Sequence, residues 1–492
     1  MTDFLSQYIN LTWIYWFLTV AYAVTIISIV GVIISENRNP VKSLAWVTVL
    51  LALPALGLIL YVVFGRNIKN KRVISRRNRR RLRRRESVRK IDFNRLPHNA
   101  STNTLVKLAY TLTGAMYYRD NQAVVYNNGA DKMDALIADI SRARKFINIQ
   151  YYILADDNTG NRLKDALIEK ARSGVAVRVI YDHVGSFRVK RRFFKEMQRE
   201  GIMAYPFFKV TFPGLGSRIN WRNHRKICII DGIIGYIGGM NIADRYVSGG
   251  NFPLWRDLHI RVTGQAVRSL QYSFAVDWNY MGQPLLDDDT ADDRNPTEDY
   301  TAPPCGTTIP AGGMQLLTAG PTGQWSNIAF MLQKAISIAR KRIYIQTPYF
   351  VPTDALLNAL QVAALSGVDV RIMMPRRGDS DMLRWASSSY IKECLQAGIK
   401  IYLFEAGMLH SKAMLVDDEF ATVGSTNFDF RSVEHNFESN MFVYSGEFNS
   451  HLAEIFLDDQ ARSHRVTAGE WRRRPIGQKI LESIMRLFAP IL

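Results

Sequence analysis

An internal repeat constrains this chain more than any other feature. Ala143-Arg144-Lys145-Phe146-Ile147-Asn148-Ile149-Gln150 is answered by Ala339-Arg340-Lys341-Arg342-Ile343-Tyr344-Ile345-Gln346, and Ser173-Gly174-Val175-Ala176-Val177-Arg178-Val179 by Ser366-Gly367-Val368-Asp369-Val370-Arg371-Ile372. Gly201-Ile202, with Tyr205 and Phe207, returns as Gly398-Ile399, with Tyr402 and Phe404. Two copies with so long a period are not a solenoid; they predict two related lobes. Each copy reads as helix, strand, helix, strand. Met133, Leu136, Ile137, Ile140 and Ala143 make an apolar helical stripe behind a capping Asp131. The runs 146–154 and 175–181 are short, β-branched and aromatic, as buried strands are. Alternating β and α elements predict an α/β fold, two pseudo-symmetric lobes with mostly parallel sheets. We place the lobes at 101–286 and 313–470, joined by an acidic, then Pro-, Thr- and Gly-rich linker at 287–312.

Each lobe carries the same polar pattern. His224-Arg225-Lys226 is followed by Asp231 and Gly238-Gly239-Met240-Asn241; His410-Ser411-Lys412 is followed by Asp417 and Gly424-Ser425-Thr426-Asn427. If 224–230 is a strand, His224 and Lys226 share a face and Asp231 falls on the other. Asp231, and Asp417 likewise, are then expected to hold the motif's turn. Gly239 and Ser425 sit where backbone can approach a ligand, and Asn241 and Asn427 can donate amide hydrogens there. Two lysines and two asparagines converging across a pseudo-twofold axis suit the charge and oxygens of a phosphate.

The histidines divide the work. A neutral imidazole can attack phosphorus, giving a covalent phospho-histidine. The other, protonated, donates to the departing alkoxide and later takes a proton from the incoming hydroxyl. Each ring needs an acidic neighbour to fix its tautomer. Asp257 and Glu438, 33 and 28 residues beyond the two motif histidines, are the candidates. No metal is required. A lone histidine on an apolar strand is ordinarily structural, and so we read His98, His183, His259, His435, His451 and His464.

The N-terminus is apolar. Residues 11–35 and 43–65 carry no charge, and each run is long enough to cross about 30 Å of hydrocarbon. A cleaved signal peptide fits poorly, since the first run is too long for an h-region and lacks a basic flank. We expect a two-helix transmembrane hairpin over 1–65. The formal charge of +19 sits mostly in 66–90, with 14 basic residues and one acid, Glu86. The connecting loop holds only Arg38 and Lys42 as basic residues, so the positive-inside bias puts both termini and the lobes in the cytoplasm. We read the polybasic segment, 66–100, as lying against anionic membrane lipids rather than nucleic acid. Three cysteines without a CxxC exclude a disulfide scaffold and a cysteine zinc cluster. At the C-terminus, 471–492, Ile480, Ile484, Leu487 and Phe488 form an amphipathic stripe suited to a membrane interface or to docking on a lobe. The segment 212–221, with Phe212, Leu215 and Trp221, is a candidate acyl-chain entrance, with a plain lid as the alternative.

With these residues the sequence resembles the phospholipase D superfamily, and within it the bacterial cardiolipin synthases. Asn39-Pro40-Val41-Lys42-Ser43-Leu44-Ala45-Trp46, with Pro54, Gly57, Tyr61 and Phe64-Gly65, resembles that family's membrane hairpin. Arg431-Ser432 and Asn436-Phe437-Glu438 resemble the segment after its second motif. The resemblance implies an enzyme of the bacterial cell membrane. One phosphatidylglycerol is attacked at phosphorus, glycerol leaves, and a second phosphatidylglycerol accepts the phosphatidyl group. It also implies His224 as nucleophile and His410 as acid/base, a choice the symmetric motifs leave open. Gly239 departs from the family's more frequent serine. No cofactor is implied, and no Gly-Lys pair occurs that could form a P-loop. A hydrolytic phospholipase D is the nearest alternative; a membrane-tethered nuclease and an inactive binding module are more remote. The oligomeric state is left open.

Overall fold

The computed structural model describes residues 2–35, 40–53, 56–61, 100–209, 221–284, 286 and 305–489. The polybasic segment, most of the 287–312 linker and the insertion at 212–220 lie outside the described residues. The N-terminal helices and the remainder of the chain form two separate units.

In the first unit the helix Thr2–Ser35 contains Thr12–Gly31, the one stretch among the described residues long and apolar enough to cross a membrane. Its side chains are largely uncovered by protein, with Trp13, Phe17 and Ile27 all exposed. The second apolar run does not form one long helix. It is divided into Pro40–Ala52 and Leu56–Leu60. Pro54, which brings no N–H to a helix interior, lies between them in sequence. The two runs still pack together: Ile26, Ile33, Leu50 and Tyr61 are buried as a cluster, and the Tyr22 hydroxyl donates to the Leu50 carbonyl at 3.3 Å.

The second unit is built on a 15-stranded sheet that both lobes share. In the first lobe Phe146–Tyr151, Ala176–Asp182 and Met203–Phe207 run parallel. On the other side of Phe146–Tyr151 the sheet turns antiparallel through Ile227–Ile230, Ile234–Gly238, His259–Thr263 and Tyr118–Tyr126. The second lobe repeats the plan. Arg342–Gln346, Asp369–Pro375 and Lys400–Phe404 are parallel; Ala413–Val416, Phe420–Gly424, Glu438–Tyr444 and Ile309–Ala319 are antiparallel. The halves join where Tyr118–Tyr126 pairs antiparallel with Ile309–Ala319. The expectation of mostly parallel sheets is therefore corrected: the sheet is mixed, and parallel only where a helix crosses between strands. The motif strands are joined by tight hairpins instead, and hairpins make antiparallel neighbours.

Two finer differences follow from packing. Asn128, not Asp131, caps the helix Gly129–Arg142, its side-chain oxygen accepting from the Asp131 N–H at 2.9 Å. The helix Ala100–Thr113 opens the segment assigned to the first lobe, yet Leu105, Val106 and Ala109 are buried in the core of the second, beside Ile328, Leu332 and Ile336, so the first lobe begins later than its expected boundary at 101.

Candidate active site

The regular strand of the first motif begins at Ile227, so His224 and Lys226 stand just ahead of it rather than within it. What positions them is the other lobe. The His224 N–H donates to the Phe437 carbonyl at 2.9 Å, and the Phe437 N–H donates to the Arg222 carbonyl at 2.8 Å. The second motif mirrors this. Met408–Leu409 pairs in parallel with Trp255–Arg256, and the His410 N–H donates to the Arg256 carbonyl at 2.6 Å. Each histidine is thus stitched beside the residue that precedes an acid: Phe437 before Glu438, Arg256 before Asp257.

The acids consequently cross between lobes. His224 Nδ1 lies 2.9 Å from Glu438 Oε1, and His410 Nδ1 lies 2.7 Å from Asp257 Oδ2. Sequence order attaches each acid to the motif it follows; the fold gives it to the histidine of the opposite motif. Both carboxylates are buried, and the two rings are nearly so. Lys226 Nζ donates to the His224 carbonyl at 2.6 Å. Lys412 Nζ lies 2.6 Å from His410 Nδ1 and 3.8 Å from Asp257 Oδ2.

Electrostatics distinguishes the two halves. Burial would raise the Glu438 carboxyl, but the His224 ring, the Lys226 ammonium and the Ser425 hydroxyl together hold it below the usual carboxylate range. Burial pushes the Asp257 carboxyl up to about 6, against the opposition of Lys412, the Leu258 N–H and Lys226. Burial also drives the cations down: Lys226 well below its ordinary value, with Lys412 adding to the effect, and Lys412 to about 8. The same burial lowers both imidazoles, His410 further than His224, with repulsion from Lys412 and Lys226 respectively. Four groups whose charged forms are disfavoured by desolvation and by one another are stabilised together by an anion placed among them.

The remaining motif positions serve the acids and the scaffold. The Ser425 hydroxyl donates to Glu438 Oε2, so its donor hydrogen is already engaged and is not turned to a phosphate. At the equivalent Gly239 a Cβ would come within 2.1 Å of Asp257 Oδ1. The shorter acid sits closer to the backbone, and only glycine leaves room for it. Asn241 donates to the Tyr246 hydroxyl at 2.6 Å and accepts from the Ile153 N–H at 3.1 Å. Asn427 donates to Asp429 Oδ2 at 3.0 Å, while its own Oδ1 is buried without a partner.

Asp231 accepts the N–H groups of Arg144, Lys145 and Phe146 at 2.8, 2.8 and 2.9 Å. Asp417 does the same for Arg340, Lys341 and Arg342. Both sit in the left-handed region, at φ 53° and 51°. They lie at the far end of the motif strand: Ile230, next to Asp231, faces Ile147, whereas Ile227, near His224, faces Gln150. The structure thus places the histidines, lysines, Asp257 and Glu438 together and the two motif aspartates a strand length away.

Sequence reading missed the aromatic walls. The Tyr152 ring meets His224 edge-on at 5.0 Å between centroids. Trp255, Tyr246 and Tyr349 surround His410 at 5.4, 5.9 and 6.4 Å. Tyr152 and Tyr349 each follow the repeated Ile-Gln pair within a few residues, so extending the repeat past Gln150 and Gln346 would have found them. Among the described residues no group of three or more His, Cys, Asp or Glu side chains is arranged to hold a metal ion.

Comparison with known proteins gives the family. A family model described as "Cardiolipin synthase, PLD-like domain" matches residues 136–256 and again 332–460, and one described as "Phospholipase_D-nuclease N-terminal" matches 20–66. The chain is 39% identical over 490 residues to the major cardiolipin synthase ClsA of Bacillus subtilis (strain 168), covering 96% of this chain and 98% of that protein. It is 38% identical over 479 residues to a cardiolipin synthase of Geobacillus kaustophilus (strain HTA426), covering 96% and 93%. The crystal structure of phosphatidylserine synthase from Haemophilus influenzae Rd KW20 shares the fold, with a TM-score of 0.59 at 15% identity, covering 79% of this chain and all of that one. With two motif-bearing lobes matched by one family model, and relatives similar over almost its whole length, the chain belongs to the cardiolipin synthases of the phospholipase D superfamily.

Proposed function

We propose that this chain makes cardiolipin by moving a phosphatidyl group from one phosphatidylglycerol to another through a covalent intermediate on His224. The observation that carries the choice of nucleophile is the unlike pair of acids. Glu438 is held ionised, so it fixes the Nδ1–H of His224 and leaves the Nε2 lone pair free to attack phosphorus. The P–N bond forms as the P–O bond to glycerol breaks, and the positive charge that develops on the ring is paired with an ionised carboxylate. Asp257 takes a proton more readily, so the Asp257–His410 pair suits proton exchange. The negative charge of the bound phosphodiester raises the proton affinity of His410, which donates to the departing alkoxide. It then accepts the proton of the second phosphatidylglycerol's hydroxyl as that oxygen attacks phosphorus and releases His224. Lys226 and Lys412 neutralise the phosphate oxygens. Asp231 and Asp417 hold the motif turns. Atoms balance: two phosphatidylglycerols yield one cardiolipin and one glycerol.

The reading extends to the membrane. Residues 11–35 and 43–65 are taken as two spans with the lobes on the cytoplasmic side, beside anionic lipid. The apolar stretch Thr12–Gly31 and the buried cluster of Ile26, Ile33, Leu50 and Tyr61 support it. In intact cells a thiol introduced at Arg38 is expected to react with an impermeant reagent and one at Glu447 is not; the reverse pattern contradicts this orientation.

Product analysis tests the activity. Purified protein given phosphatidylglycerol alone is expected to release cardiolipin and glycerol in equal amounts. Phosphatidate with glycerol, and no cardiolipin, would mean that water resolves the intermediate instead.

A further inference from the structure

Cardiolipin synthesis brings two phosphates into the site, and the paired motifs account for one. With the phosphatidyl group on His224, the incoming hydroxyl must approach in line, from the side away from the His224–phosphorus bond. That side belongs to His410. The acceptor lipid's own phosphate lies one glycerol length from the attacking oxygen, so it must come to rest beside the rings that surround His410.

A cation stands there that the chemistry does not use. Arg245, in the short helix Asp244–Ser248, has its guanidinium 5.2 Å from the Trp255 ring and 5.5 Å from the Tyr246 ring, two of the rings around His410. Its Nε is buried without a hydrogen-bond partner, and among the described residues no carboxylate lies within ion-pair distance of it. The nearby acid, Asp379, is engaged by the Tyr349 hydroxyl at 2.5 Å. The charge of Arg245 also acts on Tyr152 on the His224 side, which puts the guanidinium near the junction of the two walls. Despite its burial, Tyr246 and the charge of Asp379 favour the guanidinium's charged form; the Nε donor remains unmet, and a buried donor is costly until an acceptor such as an anion arrives.

We propose that Arg245 binds the phosphate of the acceptor lipid and so selects a glycerophospholipid over a neutral alcohol as the second substrate. This rests on the phosphatidyl-transfer reading above. The test uses the full-length protein in detergent micelles of phosphatidylglycerol with a fixed concentration of ethanol. Phosphatidyl-His224 then partitions between a charged acceptor, giving cardiolipin, and a neutral one, giving phosphatidylethanol. The product ratio does not depend on how much of the protein is folded. For Arg245→Gln the ratio of cardiolipin to phosphatidylethanol is expected to fall about 10- to 100-fold, with Arg245→Lys recovering part of it. An unchanged ratio in Arg245→Gln overturns the inference, whether or not total turnover falls. Wild-type protein that forms phosphatidate but neither transfer product overturns the transfer reading itself, and the acceptor site with it.

Discussion

His224 and Glu438 are 214 positions apart in sequence and lie in opposite lobes, yet Nδ1 of one stands 2.9 Å from Oε1 of the other. His410 and Asp257 make the reciprocal contact at 2.7 Å. Neither lobe can orient its own histidine. The site is complete only when both halves of the repeat are folded against each other, and the crossed backbone hydrogen bonds at Phe437 and Arg256 enforce that.

The two acids should give the enzyme an acid limb that belongs to one half. Asp257 is raised to about 6, so its anion is lost as pH falls through that value, while Glu438 keeps its charge. Turnover is expected to decline with an apparent midpoint near 6, a property of the coupled Asp257–His410 pair. Asp257→Asn should remove that limb and lower kcat by about 10²- to 10⁴-fold. The sign for stability is opposite. The folded protein binds the Asp257 proton more tightly than the unfolded chain, so stability from this group is present at low pH and lost as pH rises through about 6. Asp257→Asn should therefore be at least as stable as wild type at pH 7; chemical denaturation and a pH–rate profile check both.

Gly239 and Ser425 occupy equivalent places and should not be interchangeable. Gly239→Ala puts a methyl on the Asp257 carboxylate and is expected to cost about 10²-fold or more in kcat. Ser425→Ala removes a hydrogen bond to Glu438 but leaves the space, and should cost about tenfold. Equal effects in a steady-state assay would contradict this account of the asymmetry.

The motif aspartates should behave as structural residues. Asp417→Ala abandons three backbone N–H groups and leaves a non-glycine residue at φ 51°. A loss of about 2–4 kcal/mol is expected by denaturant titration. Turnover per folded molecule should stay within a few-fold of wild type. A folded, stable Asp417→Ala that is inert would assign it to the chemistry.

The repeat made the two lobes, their helices and the paired His-x-Lys motifs legible, because duplicated chemistry is visible in linear order. Strand direction was not. Ile227–Ile230 and Ile234–Gly238 are buried on both faces, so they lack the alternation that would reveal an antiparallel pair. The crossing of the acids was also hidden, since Asp257 and Glu438 are recognisable as candidates but nothing in sequence order says which ring each reaches. Tyr246 and Trp255 escaped for another reason: aromatic residues on short segments read as core until a histidine is found beside them. In the N-terminal unit the uncharged run over 43–65 reads as one span that tolerates Pro54 and Gly57, whereas the described helices there are Pro40–Ala52 and Leu56–Leu60.

The most direct measurement asks which imidazole takes the phosphatidyl group. A 4-nitrophenyl ester analogue of phosphatidylglycerol carries a leaving group that needs no proton, so the first step can proceed without His410. In His410→Ala this substrate should give a burst of about one nitrophenolate per active site, with the phosphatidyl mass on the peptide bearing His224 after alkaline quenching. His224→Ala should give neither burst nor adduct. A burst from His224→Ala with the adduct on His410 would reverse the assignment, and turnover by His224→Ala and His410→Ala alike would remove the covalent intermediate from the account altogether.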